Sequence, residues 1–120
     1  MDSSQVLSFL NGVKTQITHT HRSVTRSYSE HKVLGTFYEE WDDLADDFIE
    51  TYQGKYGRMT GPVEADAVDD LDVVSYLTTA RLFLSNDMSN FVGREDTDML
   101  NIIADMISLV NHTLYLLTLN

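Results

Sequence analysis

Apolar residues recur every three or four positions along most of the chain, which is the period of an amphipathic α-helix. The first stripe, within residues 3–24, comprises Val6, Leu10, Val13, Ile17, His21 and Val24. The second, within residues 27–52, comprises Leu34, Phe37, Trp41, Leu44, Phe48 and Tyr52. No segment alternates apolar and polar residues with the period of two that a strand requires. The pattern therefore predicts an all-α protein.

A breaker region over residues 53–68 separates these two segments from two more. It holds three of the six glycines and the single proline, Pro62, and such residues interrupt regular structure. Amphipathic helices are predicted after it at 69–92 and 96–119. Four helices of this length predict a single four-helix bundle domain over residues 1–120.

The fourth predicted helix is apolar on more than one side. Its apolar positions include Met99, Ile102, Ile103, Met106, Ile107, Leu109 and Val110. A helix with such wide apolar coverage usually packs against two neighbours. One of these neighbours is expected to come from another subunit, so we expect a homo-oligomer that is at least a dimer.

Composition narrows the functional classes. The chain has no cysteine, which excludes disulfides and thiolate chemistry. Eight basic and nineteen acidic residues give a net charge of −11, so binding to nucleic acid or to an anionic membrane is not expected. The N-terminal stretch has no basic region typical of a signal peptide, and no apolar run is long enough for a membrane span. We therefore expect a cytoplasmic protein.

The second helix carries the residues with potential metal chemistry. On a helical wheel His31, Asp42 and Asp46 lie on one flank, about 60°, 80° and 120° from Leu34. Mixed imidazole and carboxylate ligands suit Fe²⁺, Mn²⁺ and Zn²⁺, and bundles build metal sites from such side chains. The same acids also suit a solvated helix face, so both interpretations stay open. Gly35 lies on this flank too and predicts close packing of a neighbouring helix.

The stretch from His19 to Glu50 resembles the metal-binding segment of the Dps-like branch of the ferritin superfamily. In that family a His ends the first helix, a second His follows twelve positions later, an Asp lies fifteen beyond it and a Glu four further on. The same ungapped spacing here gives His19, His31, Asp46 and Glu50. The surrounding text, HKVLGTFYEEWDDLADDFIE, also resembles the family's second helix.

The resemblance implies an iron site at a two-fold dimer interface. His19 and His31 would come from one subunit, and Asp46 and Glu50 from its mate. The reaction implied is oxidation of iron(II) by peroxide or dioxygen, and for this chain we expect at most a weak ferroxidase.

The resemblance also implies a ferritin-like connectivity, with a crossover between the second and third helices. Residues 54–67 reach about 46–50 Å when extended, which exceeds the length of about 39 Å of a 26-residue helix. The crossover is therefore feasible. A simple up-down-up-down bundle is the alternative.

Two further phrases, SYSEHKVLG and YQGKYG, resemble small uncharacterised bacteriophage proteins. They imply a viral origin, and thus the host cytoplasm as location, without indicating an activity. The alternative to metal binding is a non-enzymatic helical adaptor that acts through protein–protein interaction. The wide apolar surface of the fourth helix favours this second interpretation.

Overall fold

The first half of the chain forms a pair of long helices, in a computed structural model that describes residues 1–65 and 67–119. Helix α1 spans Ser3–Ser23 and helix α2 spans Tyr28–Tyr56. A four-residue turn joins them, so they form a helical hairpin. Both helices lie where the apolar stripes predicted them, and α2 continues four residues past its predicted end.

The second half forms a second pair of helices. Helix α3 is continuous over 73–91: an α-helix at Val73–Phe83 passes through a π-helical stretch at Leu84–Met88 into a last turn at Ser89–Phe91. Helix α4 spans Thr97–Leu117. No strand occurs within 1–65 or 67–119. The predicted all-α four-helix bundle is therefore confirmed.

Local side-chain chemistry explains where the first two helices begin and end. The Asp2 carboxylate accepts from the Gln5 amide at 3.0 Å while the Gln5 side chain accepts from the Asp2 amide at 2.9 Å, a reciprocal cap on α1. Ser27 Oγ accepts from the Glu30 amide at 3.1 Å and caps α2. Gly57 ends α2 with a φ of 90°, a conformation that glycine adopts at little cost.

The connection between α2 and α3 runs along α1 and is held to it by polar side chains. Four pairs occur in register: Ser3 with Thr60 (3.2 Å), Ser8 with Glu64 (2.8 Å), Gln16 with Asp69 (2.7 Å) and His19 with Asp70 (2.8 Å). Residue numbers rise together on both segments. The connection is therefore parallel to α1 and carries the chain from one end of the bundle to the other.

This crossover decides between the two predicted connectivities. Helix α3 begins beside the C-terminal end of α1 and stacks Phe83 on Phe9 near the N-terminal end, so α3 runs antiparallel to α1 and parallel to α2. Helix α4 then returns alongside α2 and α3. The order is up-down-down-up with one crossover, which excludes the up-down-up-down alternative. A single crossover is also the connectivity of ferritin-like bundles.

One core cluster fills the space between the helices. Its fully buried members come from all four helices: Val6, Val13 and Ile17; Leu34, Phe37, Trp41 and Phe48; Leu77, Leu84 and Met88; Met99, Met106 and Val110. The indole Nε1–H of Trp41 donates to the carbonyl oxygen of Leu10 at 3.0 Å. This bond satisfies the indole's polar group inside the core and ties α2 to the middle of α1.

Helix α4 is the one helix in the described part of the chain that is long and apolar enough to cross a membrane. It has 21 residues and a mean hydropathy of 1.3 over its most apolar window, of which 28% is buried. The core helix of a water-soluble bundle passes the same test. Core packing of Met99, Ile103 and Met106 accounts for part of this apolar character.

Candidate functional site

Two histidines form a reciprocal pair at the end of the bundle where α1 turns into α2. The Nδ1–H of His21 donates to the carbonyl oxygen of His31 at 2.6 Å, and the Nδ1–H of His31 donates to the carbonyl oxygen of His21 at 2.8 Å. Their rings stack with centroids 3.9 Å apart and planes 17° apart. The pair therefore fastens the last turn of α1 to the first turn of α2.

The imidazole of His21 lies directly against the backbone of Gly35. A Cβ atom at position 35 would come within 2.8 Å of Cε1 of His21. The Tyr38 ring also contacts this imidazole, with ring centroids 5.5 Å apart and planes 60° apart. The close packing that Gly35 predicted is thus observed, and the group that makes it is a histidine side chain.

His19, the first predicted ligand, lies on a different side of α1. Its Nε2 pairs with Oδ1 of Asp70 on the crossover at 2.8 Å, and about a third of its side chain is exposed. His31, the second predicted ligand, stacks on His21 instead of meeting His19. The two predicted histidines therefore take separate partners within one chain.

The predicted acidic ligands lie on the outer surface of α2. Asp46 and Glu50 are exposed, one helical turn apart, so their carboxylates share a face. Asp42 on the same flank is half-buried and pairs with Lys14 of α1 at 3.0 Å. His31 and Asp46 are fifteen positions apart, or about 22 Å along the helix axis at 1.5 Å per residue. One chain cannot bring these two side chains to a common ion.

No three His, Asp or Glu side chains within the described ranges 1–65 and 67–119 form a group that could hold a metal ion. Within one chain His19 pairs with Asp70 and His31 with His21, and Asp46 and Glu50 are exposed on α2. The site predicted from the sequence draws on two subunits, so it stays a prediction about an assembly.

A buried carboxylate at the opposite end of the bundle was missed by the sequence reasoning. Asp96 precedes α4 and its side chain is fully buried. It is bound by Lys55 Nζ, by the Tyr56 hydroxyl at 2.6 Å and by the Gly93 amide at 2.7 Å. Lys55 and Tyr56, which donate to this carboxylate, lower the pKa of Asp96 to about 2.

The same hydrogen bonds act on the partners of Asp96. Because its negative charge favours the protonated forms, the pKa values of the Lys55 ammonium and the Tyr56 hydroxyl are both raised. The cluster joins the C-terminal end of α2 to the start of α4. From the sequence, Asp96 was predicted only as the first residue of a helix. Lys55 and Tyr56 directly precede the glycine that ends α2, and their sequence positions did not indicate that they bind Asp96. Each of these side chains has its partners within the fold, so we assign the cluster a structural role.

One of the comparisons with known proteins identifies a family. A model of a family of unknown function, DUF5856, matches residues 5–117. No curated protein and no solved structure matches the chain. The match begins two residues inside α1 and extends through the crossover to the end of α4. The chain therefore belongs to the DUF5856 family of unknown function.

Proposed function

We propose that this protein is a metal-binding helical bundle whose site is completed between two copies. His19 and His31 of one copy and Asp46 and Glu50 of the other would hold iron. The observation that carries the proposal is the state of the two histidines, because each has one ring nitrogen occupied by an oxygen acceptor. Such an acceptor is what orients a metal-ligating histidine in proteins.

The hydrogen bonds define which nitrogen of each ring is free to ligate. The Nδ1–H of His31 donates to a carbonyl oxygen, so the lone pair of the neutral ring is on Nε2. The Nε2 of His19 is bound to the Asp70 carboxylate, which leaves the lone pair on Nδ1. Both rings are partly exposed, and a ligand from a second molecule can reach them.

Asp46 and Glu50 offer carboxylate ligands that are free to bind a metal ion. Asp46 and Glu50 are exposed on α2, and within the described chain neither has a cationic partner within 4 Å. Carboxylates one turn apart can both reach one ion or bridge two. Bound iron(II) would supply oxidation chemistry with dioxygen or peroxide, for which we propose at most weak activity.

The spacing along α2 constrains how the two copies pair. His31 of one copy meets Asp46 and Glu50 of the other only if the two α2 helices cross antiparallel, with the two-fold axis near Glu39 and Glu40. Glu39 is exposed and lies on the same flank of α2 as Asp46, so the two Glu39 carboxylates would face each other at the axis and repel. A bound cation offsets this repulsion, and we therefore expect metal to promote dimerisation.

A complementation experiment tests the shared site. Two variants are prepared, His19→Ala/His31→Ala and Asp46→Ala/Glu50→Ala, and each is titrated with Zn²⁺ and, without oxygen, with Fe²⁺ by calorimetry. Neither variant alone should bind the metal tightly. Their mixture should regain binding, because each mixed dimer contains one intact site, and sedimentation should show a metal-dependent dimer.

The matched control is Asp43→Ala/Asp47→Ala, which removes two other exposed acids one turn apart on α2. It should bind metal like the unaltered protein. Circular dichroism establishes that every variant is folded. If the mixture binds no more metal than its components, or if the control loses binding equally, the shared site is wrong.

A second candidate is a non-enzymatic adaptor that binds a partner protein through outward-facing apolar residues. Leu82 on α3 and Tyr115 on α4 are 55% and 59% exposed, and Arg81 donates to Asn111 at 2.8 Å between the same two helices. If the protein is an adaptor, a metal chelator should change neither its oligomeric state nor its binding to a partner protein. This candidate also predicts that Leu82→Asp/Tyr115→Asp abolishes capture of a partner that the unaltered protein retains.

A further inference from the structure

An open groove of about 720 Å³ lies at the end of the bundle opposite the histidine pair. The first turns of α1, the crossover and α3 form its walls. None of its residues belongs to the proposed metal site. It is therefore a separate candidate for ligand binding.

Two stacked phenylalanines line the apolar part of this groove. The rings of Phe9 and Phe83 have centroids 4.0 Å apart and planes 24° apart, and both side chains are half-buried. The fully buried Trp41 packs against Phe9 with ring planes 76° apart and centroids 5.9 Å apart. This contact with the core fixes the position of the aromatic pair, so the groove offers a preformed apolar surface.

Three exposed carboxylates line the same groove as the aromatic pair: one at the start of α1, one on the crossover and one on α3. Asp2 is positioned by its cap on α1, and Glu64 by the bond from its amide to Ser8 Oγ at 2.8 Å. Asp87 lies in the π-helical stretch of α3, and π-helical stretches occur frequently at functional sites. No Lys, Arg or His side chain of the described residues lines the groove. The side chains that line the groove therefore carry a net negative charge.

We propose that this groove binds an arginine-containing segment of a partner protein. The aliphatic stem and the guanidinium plane of arginine pack on aromatic rings, and its charged head forms strong hydrogen bonds to carboxylates. Charge complementarity selects this occupant over an acidic or purely apolar segment. The net charge of −11 also speeds the approach of a basic partner.

The test uses two fluorescein-labelled nonapeptides that alternate arginine or glutamate with leucine. Fluorescence anisotropy measures their affinity at low salt, where exposed charge interactions are least screened. The arginine peptide should bind and the glutamate peptide should not. In heteronuclear NMR, amide shifts caused by the arginine peptide should cluster at Phe9, Glu64 and Asp87.

A charge-matched pair of variants separates the groove from the general field of the protein. Glu64→Gln/Asp87→Asn should weaken arginine-peptide binding about tenfold. Asp43→Asn/Asp105→Asn, which removes two exposed acids that do not line the groove, should weaken it less than twofold. Equal weakening by both pairs, shifts outside the groove, or equal binding of a lysine peptide and of free polyamine would overturn the proposal. None of these readouts involves metal, so the outcome is independent of the shared metal site.

Discussion

At Gly35 the absence of a side chain decides how closely α1 and α2 approach. The imidazole of His21 occupies the space that a Cβ would need, and it is held there by its bond to His31 and by ring contacts on two sides. The sequence predicted a close contact at this glycine from its position on the helix. It did not predict the contacting group.

Two different sequence patterns point to two different histidines, His21 and His19. The apolar stripe of α1 passes through Ile17 and continues four residues later to His21, so periodicity points His21 inward. The spacing that carries the Dps-like resemblance selects His19, which is about 200° away around the helix at 100° per residue. The structure follows the periodicity for the inward contact, and the role of His19 as a ligand stays a prediction.

Replacing Gly35 by alanine is expected to destabilise the protein by about 1–2 kcal/mol, because the overpacking cost of about 1–3 kcal/mol exceeds the gain in helix propensity of about 0.5–1 kcal/mol. Gly12→Ala in the middle of α1 is the matched control, since a Cβ there meets no atom within 4 Å. It should stabilise by roughly 0.5–1 kcal/mol. Urea unfolding of both variants measures these changes in the free energy of unfolding. A stabilised Gly35→Ala variant would contradict the close contact between His21 and Gly35.

At the scale of elements, Asp96 joins α2 to α4. Its partners Lys55 and Tyr56 precede it by about forty residues, and the Gly93 amide lies three residues before it. Helix periodicity predicts where each element begins and ends but carries no information on pairing between polar groups so far apart. For this reason the start of α4 was predicted and the buried cluster was not.

The cluster gives stability a specific pH dependence. The pKa of Asp96 is about 2 in the folded protein against an ordinary value of 3.8, so the unfolded chain takes up this proton first as pH falls. The contribution is fully present above about pH 4 and is lost as pH falls toward 2. The stability difference between the unaltered protein and Asp96→Asn should be constant from about pH 7 to 5 and shrink below 4.

Chemical denaturation at each pH measures this difference. Asp105→Asn on α4 removes an exposed carboxylate and serves as the control. Its stability difference should stay small throughout. An Asp96→Asn difference that remains unchanged down to pH 2 would show that the carboxylate is not held in its charged form.

For the whole molecule, the arrangement of helices depends on one connection. Helix number, length and buried faces were predicted from the apolar stripes. The connectivity was not, because the length of residues 54–67 is compatible with a crossover without requiring one. The contacts that decide it come from polar residues of α1, such as Ser8 and Gln16, which an amphipathic pattern assigns to solvent.

Cysteine pairs in this cysteine-free chain test the connectivity directly. Ser8→Cys/Glu64→Cys should form a disulfide under mild oxidation, because the Ser8 hydroxyl and the Glu64 amide are 2.8 Å apart and disulfides span short distances only. Ser8→Cys/Val74→Cys should not, since α3 begins at the other end of α1. Mobility on non-reducing gels and peptide mapping distinguish the two. The reverse result would favour an up-down-up-down bundle.

The bond between Trp41 and the Leu10 carbonyl gives the molecule a built-in optical probe. Trp41 is the single tryptophan and its side chain is fully buried, so its emission wavelength reports whether water reaches the seam between the first two helices. Helix content measured in parallel reports on the remaining helices as well. If α1 and α2 stay folded after α3 and α4 have unfolded, helical ellipticity will decrease before the tryptophan emission shifts to longer wavelength. If the domain unfolds in a single step, the two signals will change together.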